Sequence, residues 1–251
     1  MSSATGRVAP SLLSLGLTVV LASCGQAAES PPAPQPRVTS TIASTTASPN
    51  PTSEAGSATT IQNILDLPHF VPLEANTYYI DPDNNPSTPL RVMYTISEEG
   101  WLQWIGTFKP EEADGEDRFV GVSIATVSNL MADACVDQRP ADPPIGPTVD
   151  DLAAALAELP PFQVTKPPSD VTNYGYSGKH LELTVPDDIP FEIRFGDGYF
   201  TDCGRGELQS WIVPGGFDYF YGYEGPGQVE EFTILDIDGS RLMIQATWFP
   251  E

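Results

Sequence analysis

The stretch QVEEFTILDIDGSRLMIQATWF, residues 228–249, indicates how the folded part of this chain is built. Two runs rich in β-branched and aromatic residues, 228–237 and 241–249, flank Asp238-Gly239-Ser240. Such runs are typical of strands, and an Asp-Gly pair tolerates the positive φ that a tight hairpin turn requires. The stretch therefore predicts an antiparallel β-hairpin.

Upstream of this hairpin, more segments have the composition of strands and are separated by turn signals. They cover residues 90–96, 101–108, 118–127, 179–185, 191–195 and 208–213. A short helix is expected at residues 61–65, where the sequence reads IQNIL. Most of the folded part is therefore expected to be antiparallel sheet.

One longer helix is expected to begin after Thr148, whose hydroxyl can cap the first turn. Asp150 and Asp151 place negative charge near the free amides of that turn, and Pro160-Pro161 ends the helix. Many strands and one helix predict an α+β fold, in which an antiparallel β-sheet carries one main helix on a face. We expect a single globular domain over residues 61–251.

The N-terminal residues 1–23 have the features of a secretory signal peptide, with Arg7 as their only charge and an apolar run over residues 8–21. The following Leu21-Ala22-Ser23-Cys24 resembles the lipobox of bacterial lipoproteins, in which a diacylglyceryl group is attached to the cysteine sulfur. The resemblance implies lipidation at Cys24 and a location on the extracytoplasmic face of the cell membrane. An ordinary signal peptide beside an unrelated cysteine is the alternative.

Composition and charge limit the partners of the chain. Residues 24–60 are rich in Ser, Thr, Pro and Ala, so we expect a disordered tether behind the lipidated cysteine. The chain has 11 basic and 34 acidic side chains, a net charge of −23, which repels phosphate backbones and excludes nucleic acid as a partner. The same charge is repelled by an anionic bilayer, so the contact with the membrane is expected to depend on the N-terminal lipid.

Three cysteines occur in the sequence. If Cys24 carries the lipid, Cys135 and Cys203 remain as an even pair in an oxidising compartment, and a disulfide between them is the simple inference. Two buried free thiols are the alternative. Because the chain has only two histidines, His69 and His180, we expect no metal site and no cofactor.

A second resemblance covers about residues 90–250. From Cys135 to Cys203 and beyond, the order of short motifs is similar to that of secreted or lipid-anchored actinobacterial proteins whose function is not established. The motifs are Thr148-Val149-Asp150-Asp151-Leu152, Gly175-Tyr176-Ser177-Gly178, residues 181–186, Trp211 and Asp236-Ile237-Asp238-Gly239-Ser240-Arg241. This resemblance implies an extracytoplasmic location and transfers no catalytic residue.

Motifs of known catalytic sites are incomplete here. In GYSGKH, residues 175–180, Lys179 stands where the nucleophile elbow of serine hydrolases needs glycine. In DPDNNPSTPLRV, residues 81–92, Pro86 replaces the glycine of a calcium loop, and a plain loop is expected. The neighbouring acids Glu230 and Glu231 should point to opposite faces of a strand, as should Asp187 and Asp188 if extended. We therefore assign no catalytic residue.

An aromatic row, Phe217, Tyr219, Tyr221 and Tyr223, is the one unusual feature of the sequence. At a period of two, these side chains share one face of a strand. Tyr219, Tyr221 and Tyr223 are our candidate ligand-binding residues, because exposed tyrosines can form a platform for sugars or peptides. Packing of the same face in the core is the alternative.

The leading hypothesis for function is a lipid-anchored extracytoplasmic protein with a non-catalytic binding or cell-envelope support role. Its expected partner is an envelope polymer or an envelope protein. A hydrolase acting on envelope polymers or small esters, and a purely structural envelope component, are the alternatives. A buried carboxylate with a strongly perturbed pKa that faces a polar partner would favour the hydrolase.

Overall fold

The computed structural model describes residues 61–113, 116–194, 197–214 and 220–250. The predicted signal peptide, Cys24 and the predicted tether, residues 1–60, lie outside the described residues. The elements in chain order are the strands β1 (Gln62–Asn63), β2 (Asn76–Ile80), β3 (Val92–Ile96), β4 (Leu102–Gln103), β5 (Gly106–Ala113), β6 (Glu116–Thr126), β7 (Asn129–Leu130), β8 (Gln163–Asn173), β9 (Tyr176–Thr184), β10 (Phe191–Arg194), β11 (Asp197–Phe200), β12 (Gln209–Ile212), β13 (Phe220–Gly222), β14 (Val229–Ile237) and β15 (Ser240–Trp248), the 3₁₀ turn Ile64–Asp66 between β1 and β2, and the helix α1 (Val149–Ala157) between β7 and β8.

The largest sheet has seven strands in the order β4-β5-β6-β15-β14-β9-β8, and each neighbouring pair is antiparallel. The predicted hairpin is confirmed at its centre, where Ile237 pairs with Ser240. Asp238 and Gly239 form the turn with φ values of 51° and 87°. The Gly239 amide also donates to Asp236 Oδ1 at 2.8 Å, which fixes the turn.

Smaller sheets lie around this one in the described part of the chain. They have the orders β1-β2-β3, β10-β11 and β13-β12-β7. β1 pairs with β2 in parallel, and the other strand pairs of these sheets are antiparallel. The molecule is therefore built from several sheets and not from one sheet with a covering helix.

The predicted α+β class is wrong. Strands account for 47% of the structure and helices for 7%, so the fold is β-rich. The helix begins at the Thr148 cap as expected, with a capping box to Asp151, but it has only nine residues. Leu152 and Leu156 bury it against β8, β9 and β14, and residues of β12 and of β2 and β3 contribute to the cores of the large sheet. The predicted helix at 61–65 is also absent, because Gln62–Asn63 pairs with β2 before a single 3₁₀ turn.

The strand predictions need correction at the run 101–108, and strands such as β2 and β8 were not predicted. The run 101–108 is not one strand, because the chain turns at residues 104–105 and β4 and β5 pair with each other. β8 was not predicted, because Pro167 and Pro168 lie inside it. Proline cannot donate to a ladder and is tolerated at an edge, and β8 is an edge strand of the large sheet.

Each face of the large sheet has its own core. Phe232 and Ile234 of β14 point into a core with α1 and β12, whereas Leu235 and Ile237 belong to a second core formed with β2 and β3. Cys135 and Cys203 lie in the first core, with sulfur atoms 2.15 Å apart and Cα atoms 4.4 Å apart, as a disulfide. Along the described residues, no helix combines the length and apolar character required to cross a membrane.

Candidate functional site

The predicted tyrosine row falls largely outside the part of the chain that the structure describes. Phe217 and Tyr219 are not among the described residues. Tyr221 lies in β13, but its side chain is outside the description. The row therefore stays a prediction at these positions.

Tyr223 can be located, and it does not form a platform. Tyr223 is only 6% exposed, and its ring packs on that of Phe162 with centroids 4.7 Å apart. Burial and the nearby Glu230 carboxylate raise the pKa of its hydroxyl well above the ordinary value. Tyr223 is therefore a core residue, and its assignment as a ligand-binding residue is corrected.

The GYSGKH segment does not form a catalytic site. Ser177 and His180 are three residues apart on β9 and therefore point to opposite faces of the sheet. His180 Nε2 lies 2.7 Å from Glu231 Oε1 on the partly open face, while Glu230 is fully buried on the other face. The expectation that Glu230 and Glu231 diverge is confirmed.

The loop with calcium-like spacing is held by an arginine. Arg91 Nη1 lies 3.2 Å from Asp81 Oδ1 and donates to the Thr88 carbonyl at 2.9 Å. Its Nη2 donates to the Pro86 carbonyl at 3.1 Å. The Arg91 guanidinium therefore supplies the positive charge that faces the oxygen atoms of this loop. Within the described ranges, no group of three or more His, Cys, Asp or Glu side chains could hold a metal ion.

A cluster of rings that the sequence analysis did not predict lies near the β4 edge of the large sheet. We call it the edge cluster, and its members are His69, Phe70, Trp104, Phe108 and Phe119. Ring centroids are 5.0 Å apart for Trp104 with both His69 and Phe70, and 5.9 Å apart for Phe108 with both Phe70 and Phe119. His69 is exposed, and Phe70 and Trp104 are 58% and 36% exposed, so part of the cluster faces solvent.

Backbone contacts explain how Phe70 reaches this position. The segment 70–73 runs beside β4, with Phe70 N donating to the Gln103 carbonyl at 2.9 Å and Gln103 N donating to the Val71 carbonyl at 3.0 Å. Phe70 itself has a φ of 63°, which is rare for a bulky side chain. This backbone geometry holds an apolar ring in solvent beside Trp104.

Trp104 lies in the turn between β4 and β5. Its amide donates to the Gly106 carbonyl at 3.1 Å and closes the turn. A Cβ atom at Gly106 would lie 2.0 Å from the Val122 carbonyl oxygen, so glycine is required for β5 to approach β6 here. The turn thereby fixes Trp104 at the sheet edge, next to Phe70.

A cavity of about 80 Å³ adjoins the edge cluster. His69 and Trp104 form part of its wall, and Ile105, Ile124 and Val213 supply apolar wall. Two buried polar residues, Asp81 and Gln103, also line it. The cavity thus connects exposed rings with a mainly apolar wall that contains a few polar residues.

The polar groups of the cavity differ in their bonding. Burial raises the pKa of Asp81 to about 6, the neighbouring Asp83 carboxyl adds to the rise, and the Arg91 guanidinium opposes it. Gln103 is 1% exposed, and its Nε2 donates to the Trp104 carbonyl at 2.5 Å. Its Oε1 has no hydrogen-bond partner among the described residues. This unpartnered acceptor has essentially no surface that a molecule in the cavity could contact.

Sequence reasoning missed this site because its rings come from distant segments around residues 69, 104, 108 and 119. One signal was present in WLQWIGTF, residues 101–108, where apolar side chains occur at both odd and even positions. A strand with one buried face needs only every second position to be apolar. The excess rings in this run indicate an apolar surface beyond the core.

Comparisons of this chain with protein-family models, with curated proteins and with solved structures find no match. The resemblances to bacterial lipoproteins and to secreted or lipid-anchored actinobacterial proteins accordingly stay predictions. What the chain binds must be inferred from its own residues.

Proposed function

We propose that this chain is a lipid-anchored extracytoplasmic protein that binds a component of the cell envelope without catalysis. In this proposal, lipid on Cys24 attaches the chain to the membrane, residues 25–60 act as a tether, and the ligand lies on the edge cluster. The lipobox-like segment supports the location. The exposed part of the edge cluster supports the binding role.

The observation that carries the binding role is the exposure of Phe70 and Trp104 beside a cavity. Phe70 combines an exposed apolar ring with a left-handed backbone, a conformation that costs roughly 1–3 kcal/mol for a residue other than glycine. Neither feature stabilises the folded chain by burial. Contiguous exposed apolar surface next to polar groups is typical of ligand-binding grooves.

The test is retention of the full chain, in mild detergent, on purified cell-envelope material. We expect Phe70→Ala and Trp104→Ala to reduce retention strongly. Tyr174→Ala is the matched control, because Tyr174 is also an exposed aromatic residue, 45% accessible and with a φ of 55°, but it lies in the β8–β9 turn. Equal retention of all variants would contradict the proposal and favour a purely structural envelope component.

The anchor requires its own test, because it does not depend on the edge cluster. Cys24→Ser should leave the chain unprocessed or release it from membranes. Phase partitioning in detergent compares the two forms. If both forms partition equally, the lipid-anchor part of the proposal is wrong while the binding part stands.

A hydrolase is the second candidate function, and one observation favours it. Asp81 lines the cavity, and its pKa of about 6 would leave part of the population protonated near neutral pH, as a general acid requires. Its ion pair with Arg91 gives it a structural role in the same place. Turnover of envelope polysaccharide or of small esters, lost in Asp81→Asn, would establish the hydrolase and overturn the non-catalytic proposal.

A further inference from the structure

We infer that the envelope component at the edge cluster is the lipid surface of the membrane, into which the exposed rings of Phe70 and Trp104 insert at the level of the headgroups. This inference rests on the proposed function and names its partner. A bilayer surface takes up apolar side chains without a specific hydrogen bond, because the binding strength depends on the apolar area that leaves water. Tryptophan is enriched at that boundary in membrane proteins.

The exposed surface around the two rings is mostly apolar. The segment 68–72, which reads PHFVP, exposes four of its five residues, and His69 is the polar one among them. Trp104 is exposed beside this segment. Asp81 and Gln103 in the neighbouring cavity wall are only 4% and 1% exposed, so a partner on this surface does not reach them. A polar ligand needs placed polar groups to fix its orientation, whereas a lipid surface does not.

The backbone at this edge of the sheet is already used within the chain. Phe70 N donates to the Gln103 carbonyl at 2.9 Å. Leu73 N donates to the Trp101 carbonyl at 2.8 Å, so the segment 70–73 takes up hydrogen-bonding groups of β4 and its neighbour. An extended peptide that adds a strand to a sheet needs such groups free. Side chains, and not the backbone, therefore make the contact at this surface.

The two segments that form this surface have no charged side chains, although the chain is strongly acidic. Residues 67–73 and 100–108 contain no Asp, Glu, Lys or Arg, whereas charged residues make up 18% of the chain and its net charge is −23. A charge is unfavourable inside the bilayer, so a face without charges suits contact with lipid. Anionic headgroups repel the acidic remainder of the chain, and we therefore expect neutral lipids to be the better partners.

The point at which residues 1–60 join the folded part lies near this surface. Leu65 and His69, four and eight residues after Ile61, line the cavity together with Trp104. Because four residues span at most about 14 Å, the chain enters the folded part beside the edge cluster. The proposed lipid anchor is therefore connected to the molecule on this side. Such a connection raises the effective concentration of the surface at the bilayer, so a contact of modest strength is occupied.

The experiment places the full chain, purified with its lipid, in vesicles of phosphatidylcholine and measures quenching of tryptophan fluorescence by brominated acyl chains. Such quenching requires contact between a tryptophan ring and lipid. Trp101 and Trp211 are 3% and 0% exposed, and Trp248 is partly buried, so Trp104 is the ring expected to respond. Trp104→Phe keeps an aromatic ring at this position and assigns the quenched signal by its loss.

We expect Trp104 to be quenched in the unchanged chain. Phe70→Ala should reduce this quenching at least about twofold, because it removes apolar area that enters the lipid. Tyr174→Ala is the matched control and should leave the quenching unchanged, because Tyr174 is an exposed aromatic residue in the β8–β9 turn. Replacing part of the phosphatidylcholine by phosphatidylglycerol should weaken the quenching, and added salt should restore it by screening the repulsion.

Three results would overturn the inference. The first is the absence of Trp104 quenching in phosphatidylcholine vesicles. The second is equal quenching in Phe70→Ala and in the unchanged chain, which would place the lipid contact away from this surface. The third is stronger quenching on phosphatidylglycerol vesicles, which would mean that basic side chains elsewhere make the contact.

Retention on envelope material separates this inference from the proposed function. With its lipid present, and with detergent below the level that dissolves bilayers, both expect Phe70→Ala to lower retention. If Phe70→Ala also lowers retention after the lipid has been extracted, and Trp104 is not quenched in vesicles, the partner is a polymer or a protein. The inference is then wrong and the proposed function stands. If Phe70→Ala changes neither quenching nor retention, both are wrong.

A failure of the anchor is also distinguishable. If the unchanged chain does not float with the vesicles, the lipid anchor and the inference both fail. Retention on lipid-extracted material then still decides whether the edge cluster binds another envelope component.

Discussion

Two regions of the large sheet differ in the burial and hydrogen bonding of their polar and aromatic side chains. On the face covered by α1, a fully buried carboxylate, Glu230, accepts hydrogen bonds from neighbouring side chains. Near the β4 edge, aromatic rings are exposed and a buried acceptor, Gln103 Oε1, has no partner in the described residues. The first arrangement is typical of a structural core and the second of a binding site.

The residues around Glu230 form what we call the buried network, with the members Trp211, Gln228, Glu230, Gln245 and Thr247. Thr247 Oγ1 donates to Glu230 Oε1 at 2.8 Å, and Gln228 Nε2 donates to the same oxygen at 2.5 Å. Gln245 Nε2 donates to Glu230 Oε2, and Trp211 Nε1 donates to Gln245 Oε1 at 2.7 Å. A linked set of bonds of this kind makes the burial of polar groups tolerable and fixes their positions.

The two regions show that burial of a carboxylic acid does not by itself indicate a catalytic or binding site. Glu230 is more deeply buried than Asp81, yet it lies inside a set of mutual bonds and lines no part of the cavity. Asp81 and Gln103 line a cavity beside exposed rings. What distinguishes the candidate site is therefore its access to solvent beside exposed rings.

The largest effect is expected from breaking the buried network. Glu230→Ala removes the acceptor of Gln228, Gln245 and Thr247, and each buried donor left without an acceptor costs about 1–3 kcal/mol, so we expect a loss of about 3–5 kcal/mol in the free energy of unfolding. Urea denaturation measures it. Glu231→Ala is the control on the same strand: this partly exposed side chain pairs with His180, and we expect at most about 1 kcal/mol. Similar losses in both variants would contradict the structural role of the network.

The disulfide should have the next largest effect, on the same side of the sheet. It joins Cys135 and Cys203 across a sequence separation of 68, and bonds that close long loops typically contribute about 2–4 kcal/mol. The double variant Cys135→Ala/Cys203→Ala should lose about this much in urea denaturation, while retention on envelope material stays unchanged. Mass spectrometry of the native chain after alkylation checks the bond directly, and two labelled cysteines would refute it.

The sequence predicted the elements whose signals are local. Asp238-Gly239 contains the two positive-φ residues of the hairpin, and Thr148 with Asp151 forms the helix cap. The opposite orientation of Glu230 and Glu231 follows from the two-residue period of a strand. In each case the deciding interaction lies within a few residues of the signal.

The parts that could not be predicted depend on partners far along the chain. β8 contains two prolines and becomes a strand only because β9 pairs with it at the sheet edge. The helix signal was correct, but nothing near it shows how much of the sheet the small sheets cover, so the fold class was misjudged. The edge cluster joins rings from residues 69–70 with rings from residues 104–119, and no local pattern reports that contact.

Asp81→Asn should change stability in a pH-dependent way at the cavity. The folded pKa of Asp81, about 6, lies above the ordinary value of 3.8, so its protonated form is favoured by folding. The contribution of the Asp81 carboxyl to the free energy of unfolding is fully present below about pH 4. It is lost as the pH rises through about 6, a change of about 3 kcal/mol.

Because Asn is neutral at every pH, we expect Asp81→Asn to be more stable than the unchanged chain by about 2 kcal/mol at pH 7. The pKa of about 6 already includes the opposing effect of Arg91, so the difference of about 2 kcal/mol is a lower figure than the full shift of about 3 kcal/mol, because Asn does not reproduce every contact of the protonated carboxyl. Near pH 4 the two chains should be alike, and thermal melts at both pH values check this. Destabilisation at pH 7 would mean that the Arg91 ion pair outweighs the burial of the charge. None of the residues of the buried network lines the cavity, so this variant tests the cavity region alone.

The smallest effect on stability, and the sharpest contrast, is expected at Trp104. Its ring is partly exposed and contacts only the other rings of the edge cluster among the ring pairs described, so Trp104→Ala should lower the free energy of unfolding by about 1 kcal/mol. Tyr223→Ala removes a buried ring packed on Phe162 and should cost about 3–5 kcal/mol.

Envelope retention should show the reverse order, because Trp104 belongs to the proposed ligand surface and Tyr223 to the core. Urea denaturation and retention, measured on both variants at a temperature where both are folded, separate the two roles. If Trp104→Ala proves as destabilising as Tyr223→Ala, the edge cluster is a second core and its exposure has no bearing on ligands.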